Sequence, residues 1–171
     1  MCGIFDNIDY LRKGNERQQQ AYALLTRYDI LGKLKAYDAL LAGTIPIAID
    51  IKGSDLDIIC QWTDKEDFIF RLETLFADEK NFRIGEELAN NSVLATFELE
   101  DWAIEIFGQN IPVKQQNAYR HMLAEHRLLM KYGDDFRQKI IELKKQGYKT
   151  EPAFAHALGL KGDPYEELLR I

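Results

Sequence analysis

The stretch whose reading decides the fold is Gly43-Thr44-Ile45-Pro46-Ile47-Ala48-Ile49-Asp50-Ile51-Lys52-Gly53-Ser54-Asp55-Leu56-Asp57-Ile58-Ile59-Cys60. Its second half predicts a strand over 56–62, where side chains alternate between faces. Asp55 and Asp57 then project together, while Leu56 and Ile58 turn to the other side. Two carboxylates so placed repel each other unless a cation lies between them, and oxygen ligands of this kind, completed by phosphate oxygens, suit Mg²⁺. An acid-x-acid pair alone is common on solvated strands. Here Gly43-Thr44 precedes it by ten residues and apolar residues flank it, a pattern that points to metal-assisted chemistry on a phosphate.

Working outward, the chain of 171 residues is long enough for one domain with a full core. Hydrophobic residues make up 46% and charged residues 29%, an ordinary globular composition that excludes a disordered or fibrous chain. The net charge of −6 argues against broad binding to a nucleic-acid backbone, which draws its affinity from clustered Lys and Arg. A nucleotide held through a metal is compatible with it. Cys2 and Cys60 are too few for a disulfide framework or a structural zinc site. No stretch approaches the roughly 18 apolar residues of a membrane span, and no leader pattern opens the chain, so a cytoplasmic location is the expectation.

The chain divides into a helical head (1–36), a mixed core (37–112) and a helical tail (113–171), expected to form a single domain over 1–171. In the head, Asn15 caps a helix reaching Tyr28. In the core, the run from Asp38 to Ile49 is expected to be extended. Thr63 and Glu66 form a capping box ahead of a helix with Phe68, Ile69, Leu72, Leu75 and Phe76 on one stripe. The segments Val93–Leu99 and Trp102–Phe107 read as a hairpin turning near Glu100-Asp101, with the polar stretch 85–92 before it.

Tail punctuation predicts helices over about 113–131 and from Asp134 to Gly147. A third runs from Thr150 to Gly159, and a last one is headed by Asp163-Pro164. Without a long or Gly/Ser-rich joint, these helices are expected to pack on the core. His126 falls on an apolar stripe with Tyr119, Met122, Leu123, Leu129 and Met130, as a core histidine would. His121 and His156 have no metal spacing, Arg120 and Arg127 read as a solvated face, and Lys139, Lys144 and Lys145 with Glu142 read as solvent-facing.

Gly43-Thr44, ten residues, then Asp55-Leu56-Asp57-Ile58 resembles the signature of the DNA polymerase β-like nucleotidyltransferase superfamily. The longer run from Gly43 to Cys60 is similar to a family of uncharacterised bacterial proteins carrying this core, and more faintly to proteins of the GrpB group. The resemblance implies an α+β fold: a nucleotidyltransferase-like core with a small mixed β-sheet, N-terminal helices, and a helical C-terminal tail packed on it. A second resemblance, of Met1-Cys2-Gly3-Ile4-Phe5 to glutamine amidotransferases with an N-terminal Cys nucleophile, conflicts with the helical reading of 15–35, since those enzymes continue into a long β-rich domain.

Residue by residue, the superfamily resemblance implies that Gly43 and Thr44 contact the triphosphate, with the methyl of Thr44 a departure from the usual Gly or Ser. Asp55 and Asp57 match the metal pair. Ser54 and Lys52, beside them, are further nucleotide-binding candidates. A third acid on a neighbouring strand is implied: Glu105, between Ile104 and Ile106, is the first candidate and Glu98 the second. A tight turn at Asp101-Trp102 would set these two glutamates directly opposite.

The implied reaction is transfer of a nucleoside monophosphate from a nucleoside triphosphate to a hydroxyl acceptor of unread identity, with Mg²⁺ as cofactor. The alternative is a catalytically silent nucleotide-binding or protein-interaction module on the same fold. The two differ in whether a third acid converges on Asp55 and Asp57.

Overall fold

The computed structural model describes residues 3–171, so Cys2 and its amidotransferase-like reading lie outside the described residues. After a 3-10 turn at Asp9–Lys13, helix α1 spans Glu16–Arg27 and α2 spans Ile30–Lys33. Five strands follow: β1 Leu40–Ala42, β2 Leu56–Gln61, β3 Lys80–Glu87, β4 Ser92–Leu99 and β5 Trp102–Gln109. Helix α3, Lys65–Phe76, intervenes between β2 and β3. The tail consists of α4 Asn117–Lys145, α5 Thr150–Leu158 and α6 Pro164–Arg170.

The strands form one mixed sheet in the order β1-β2-β5-β4-β3. Only β2 and β5 run parallel; the other three pairings are antiparallel. Alternation along the central strands divides the apolar residues between two cores. Leu56, Ile58 and Cys60 of β2 and Ile104 and Ile106 of β5 enter a core with α1 and α3, built around Leu24, Leu25, Phe68 and Leu72. Ile59 and Phe107 turn to the other face and meet α4, α5 and α6 through Met122, Leu129, Ile140, Phe154 and Leu168. That second face also carries Asp57 and Glu105, so the tail packed on the core forms the opposite wall of the site.

Local chemistry sets the boundaries. Asn15 and Gln18 exchange reciprocal bonds across the first turn of α1, at 2.9 and 3.0 Å. Helix α3 begins one residue later than the Thr63 box predicts: the Asp64 carboxylate accepts from the Asp67 N–H at 3.0 Å, and Asp is at least as good an N-cap as Thr. The long α4 is interrupted at Gly133, whose φ of 79° and ψ of −167° break the helix where the sequence predicts a joint. That backbone region is essentially closed to residues with a Cβ.

The structure corrects three expectations of local structure. Only Leu40–Ala42 of the expected 38–49 strand is extended; Ile45–Ala48 forms a turn. Ile45, Ile47 and Ile49 are nevertheless buried, because their apolar spacing anchors a loop between the two cores. Strand β3 has no counterpart in the sequence reading; its last three residues fall in the stretch 85–92 read as polar. It is an edge strand on which Phe82 and Ile84 give the only apolar alternation, and a register shift interrupts it between Lys80 and Arg83. The buried stripe of α4 is rotated from the one expected: Met130 is exposed, while His121, Ala124, Glu125 and Leu128 are buried.

Candidate active site

Strand β2 and the parallel β5 set Asp57 directly beside Glu105, and Asp55 lies two residues before Asp57 on the same side. One carboxylate oxygen from each of Asp55, Asp57 and Glu105 lies within 4.8 Å of the others. None of the three accepts a hydrogen bond from the described residues. Burial, with the neighbouring Asp55 and Glu105 charges, pushes the Asp57 carboxyl up to about 8, against the partial relief of Lys144. Burial and Asp55 also raise Glu105. Half-buried carboxylates that crowd together without donors are a donor set matched to a hard divalent cation such as Mg²⁺.

Gly43 follows directly on β1, whose Ala42 pairs with Asp57. Its φ is +78°, and a Cβ at this position would collide with the Asp57 carboxylate. Glycine is therefore required twice over, by conformation and by contact. The loop beyond it is tied down through its carbonyl oxygens. Gln18 Nε2 donates to those of Ile45 (2.9 Å) and Pro46 (3.2 Å), Arg137 to those of Ile47 and Ala48, and Lys144 Nζ to that of Ile49 (2.8 Å). The Ser54 hydroxyl oxygen accepts from the Ile51 N–H at 2.9 Å and fixes the turn that delivers Asp55.

Together these elements enclose a cleft of about 510 Å³ between the sheet and the tail. Gly43, Thr44, Ser54, Asp55, Asp57 and Glu105 line one side, and His121, Glu125, Lys144 and Glu151 contribute from the helices. Lys52 does not line it; it faces an adjoining groove with Asp50 and Gly53, which meets the cleft at Ser54. Glu98 is not opposite Glu105. The hairpin turns at Glu100-Asp101, two residues that leave Leu99 paired with Trp102, so Thr96 faces Glu105 and Glu98 faces Ala103. Glu98 instead binds Lys80 (2.5 Å) and Asn81 (2.7 Å), which hold its carboxyl below the usual range.

The helices carry site residues that the sequence reading set aside. Lys144 is buried rather than solvent-facing, and burial lowers its pKa against the opposing pull of Glu125, Asp50, Asp57 and Glu151. His121 donates from Nε2 to the Tyr165 carbonyl oxygen at 2.8 Å, with Nδ1 3.7 Å from Glu151. His126 is half-buried and packs edge-on against Phe5. Arg120 and Arg127 are exposed, as expected of a solvated face. One signal in the sequence did bear on the missed residues: Ala124, Glu125 and Leu128 with His121 and Leu129 make an alternative stripe at helical spacing.

This fold is that of the nucleotidyltransferases. The chain aligns with a Cid1 poly(U) polymerase mutant bound to MgATP at a TM-score of 0.62 and 12% identity, over 88% of this chain and 53% of that one. A cytoplasmic RNA terminal U-transferase gives 0.59 at 14% identity, over 84% and 45%. The GLD-2/RNP-8 complex structure gives 0.54 at 15% identity, over 88% and 60%. The chain thus spans about half the length of these solved chains. At the level of sequence it belongs to the DUF4269 family, a domain of unknown function, matched over residues 23–171. No curated protein matches it. No helix among the described residues is long and apolar enough to cross a membrane.

Proposed function

We propose that the chain is a Mg²⁺-dependent nucleotidyltransferase that moves a nucleoside monophosphate from a nucleoside triphosphate to an acceptor hydroxyl. The observation that carries this reading is the convergence of Asp55, Asp57 and Glu105 beside Gly43 in one cleft. Asp55 and Asp57 would hold Mg²⁺, and Glu105 would complete the ligand set. Mg²⁺ bound there supplies charge stabilisation on the phosphate oxygens and acidifies the acceptor hydroxyl. Gly43 lets the backbone approach the triphosphate, and Thr44 and Ser54 line the same space. The acceptor hydroxyl passes its proton to Glu105, its oxygen forms a bond to the α-phosphorus as the bond to the pyrophosphate oxygen breaks, and pyrophosphate leaves.

The third acid beside the pair favours the enzyme over a silent module. Thermal unfolding with ATP, GTP, CTP and UTP, with and without Mg²⁺, tests the reading, because a ligand bound only by the folded chain raises Tm. At 100 times Kd the stabilisation is about 2.7 kcal/mol. The expected result is a metal-dependent rise with at least one nucleotide, abolished by Asp55→Asn or Asp57→Asn. No rise with any nucleotide in the wild-type protein rejects the proposal.

A further inference from the structure

Strand β3 ends the sheet, and its outer edge is open: among the described residues no group bonds to the far side of Arg83–Glu87. An open edge of this kind is a template for a further strand, which charges and bulges usually discourage. The irregularity in β3 lies between Lys80 and Arg83 and leaves the run from Arg83 to Glu87 in regular register. The charges on that run sit at its two ends. Arg83 pairs with Thr96 and Glu87 with Ser92, so both side chains are exposed on the sheet face that carries Glu105. Arg83 has no ion pair among the described residues, and Glu87 accepts only from the Ala89 N–H, at 3.2 Å.

Midway between them stands Gly85. Its φ is not positive, and a Cβ there would meet nothing within 4 Å. Nothing inside this chain calls for glycine at a position where it weakens a strand, and such a glycine is a mark of another backbone approaching closely. A two-fold axis perpendicular to a sheet keeps each face on its own side, so a strand pairing with its own copy sets one residue against itself. With Ile84 on the axis Arg83 would face Gly85, and with Glu86 on the axis two glutamates would collide. With Gly85 on the axis, Arg83 faces Glu87 of the second copy at both crossings. Glu86 then meets Ile84 with its own charge already held by Lys65, at 2.8 Å.

We propose that β3 pairs antiparallel with β3 of a second copy of this chain, Gly85 lying on the two-fold axis, so that two five-stranded sheets join edge to edge. Both clefts then open on the same face of the joined sheet. The groove beside the triad, lined by Asn81, Arg83, Thr96 and Glu105, ends at the Arg83 crossing with Glu87 of the second copy. The proposal stands on the strand edge and is independent of the nucleotidyltransferase reading.

A pairing over this short run covers less than a standard interface, so the dimer is expected to be reversible, with a dissociation constant on the order of 100 μM. Sedimentation equilibrium of the full chain through that range is expected to show monomers passing to dimers. Arg83→Glu and Glu87→Arg each set like charges at both crossings and are expected to weaken association at least about tenfold. Mixed in equal amounts, the two variants offer only opposite charges to each other, and a heterodimer of wild-type affinity is expected. Tm at a concentration where the wild-type protein is monomeric shows that each variant is folded; the double variant Arg83→Glu/Glu87→Arg, with its charges exchanged, is expected to dimerise as the wild-type protein does and serves where a single variant does not fold. A wild-type chain that stays monomeric up to about 1 mM overturns the proposal. So does a dimer that survives either single substitution, or a mixture of the two variants that does not associate.

Discussion

Asp57 is strained by its charge rather than by its shape. Its folded pKa of about 8 lies far above the ordinary 3.8, and that of Glu125, also about 8, lies above 4.5. Raised carboxyls mean that the folded chain keeps protons which the unfolded chain releases. Stability is therefore fully present below about pH 4 and is lost as pH climbs towards about pH 8. Urea unfolding of the metal-free protein across this window is expected to show that decline. Asp57→Asn should flatten it and raise stability at the alkaline end. Saturating Mg²⁺ should restore the share of that loss that belongs to Asp57. An unchanged pH slope in Asp57→Asn would show that the carboxylate is not desolvated as the structure has it.

At the scale of elements, strand register chooses the third acid. Glu105 and Glu98 share a strand pair and similar apolar flanks, but the parallel β2–β5 register sets Glu105 beside Asp57, while Glu98, on β4 opposite Ala103, is left to Lys80 and Asn81. Glu105→Gln is expected to abolish the Mg²⁺-dependent rise in Tm with nucleotide, and Glu98→Gln to preserve it; the reverse result would exchange their roles. The Asp55-Leu56-Asp57 strand and the tail joints were legible because period-two alternation and Gly, Pro and Asp punctuation are local signals. Strand β3 was not, since an edge strand needs only one half-buried face and Lys80, Asn81, Glu86 and Glu87 mask it. Nor was Lys144: its burial answers to a carbonyl oxygen in a loop 95 residues away, a demand that no helical periodicity records.

At the scale of the whole molecule, the two cores meet across the loop that follows Gly43. Gln18, 7% exposed, reaches that loop from α1 and bonds two of its carbonyl oxygens. Removing it by Gln18→Ala leaves buried acceptors unsatisfied, at a cost of about 1–3 kcal/mol. Nucleotide affinity should weaken alongside stability, although Gln18 does not line the cleft. Equilibrium unfolding and nucleotide titration of this variant check both; a stability loss with undiminished affinity would show that the loop does not depend on α1 for its shape. The same loop is braced from the far end by Arg137 and Lys144, which follow it by 90 and 95 residues at their contacts with Ile47 and Ile49. Ring closure over such a span is entropically unfavourable until the intervening elements have condensed. During synthesis, a nascent chain that has already made its acidic pair still has no finished cleft. Until the second half of α4 has left the ribosome and docked, the partly made protein is without the helical wall of its cleft.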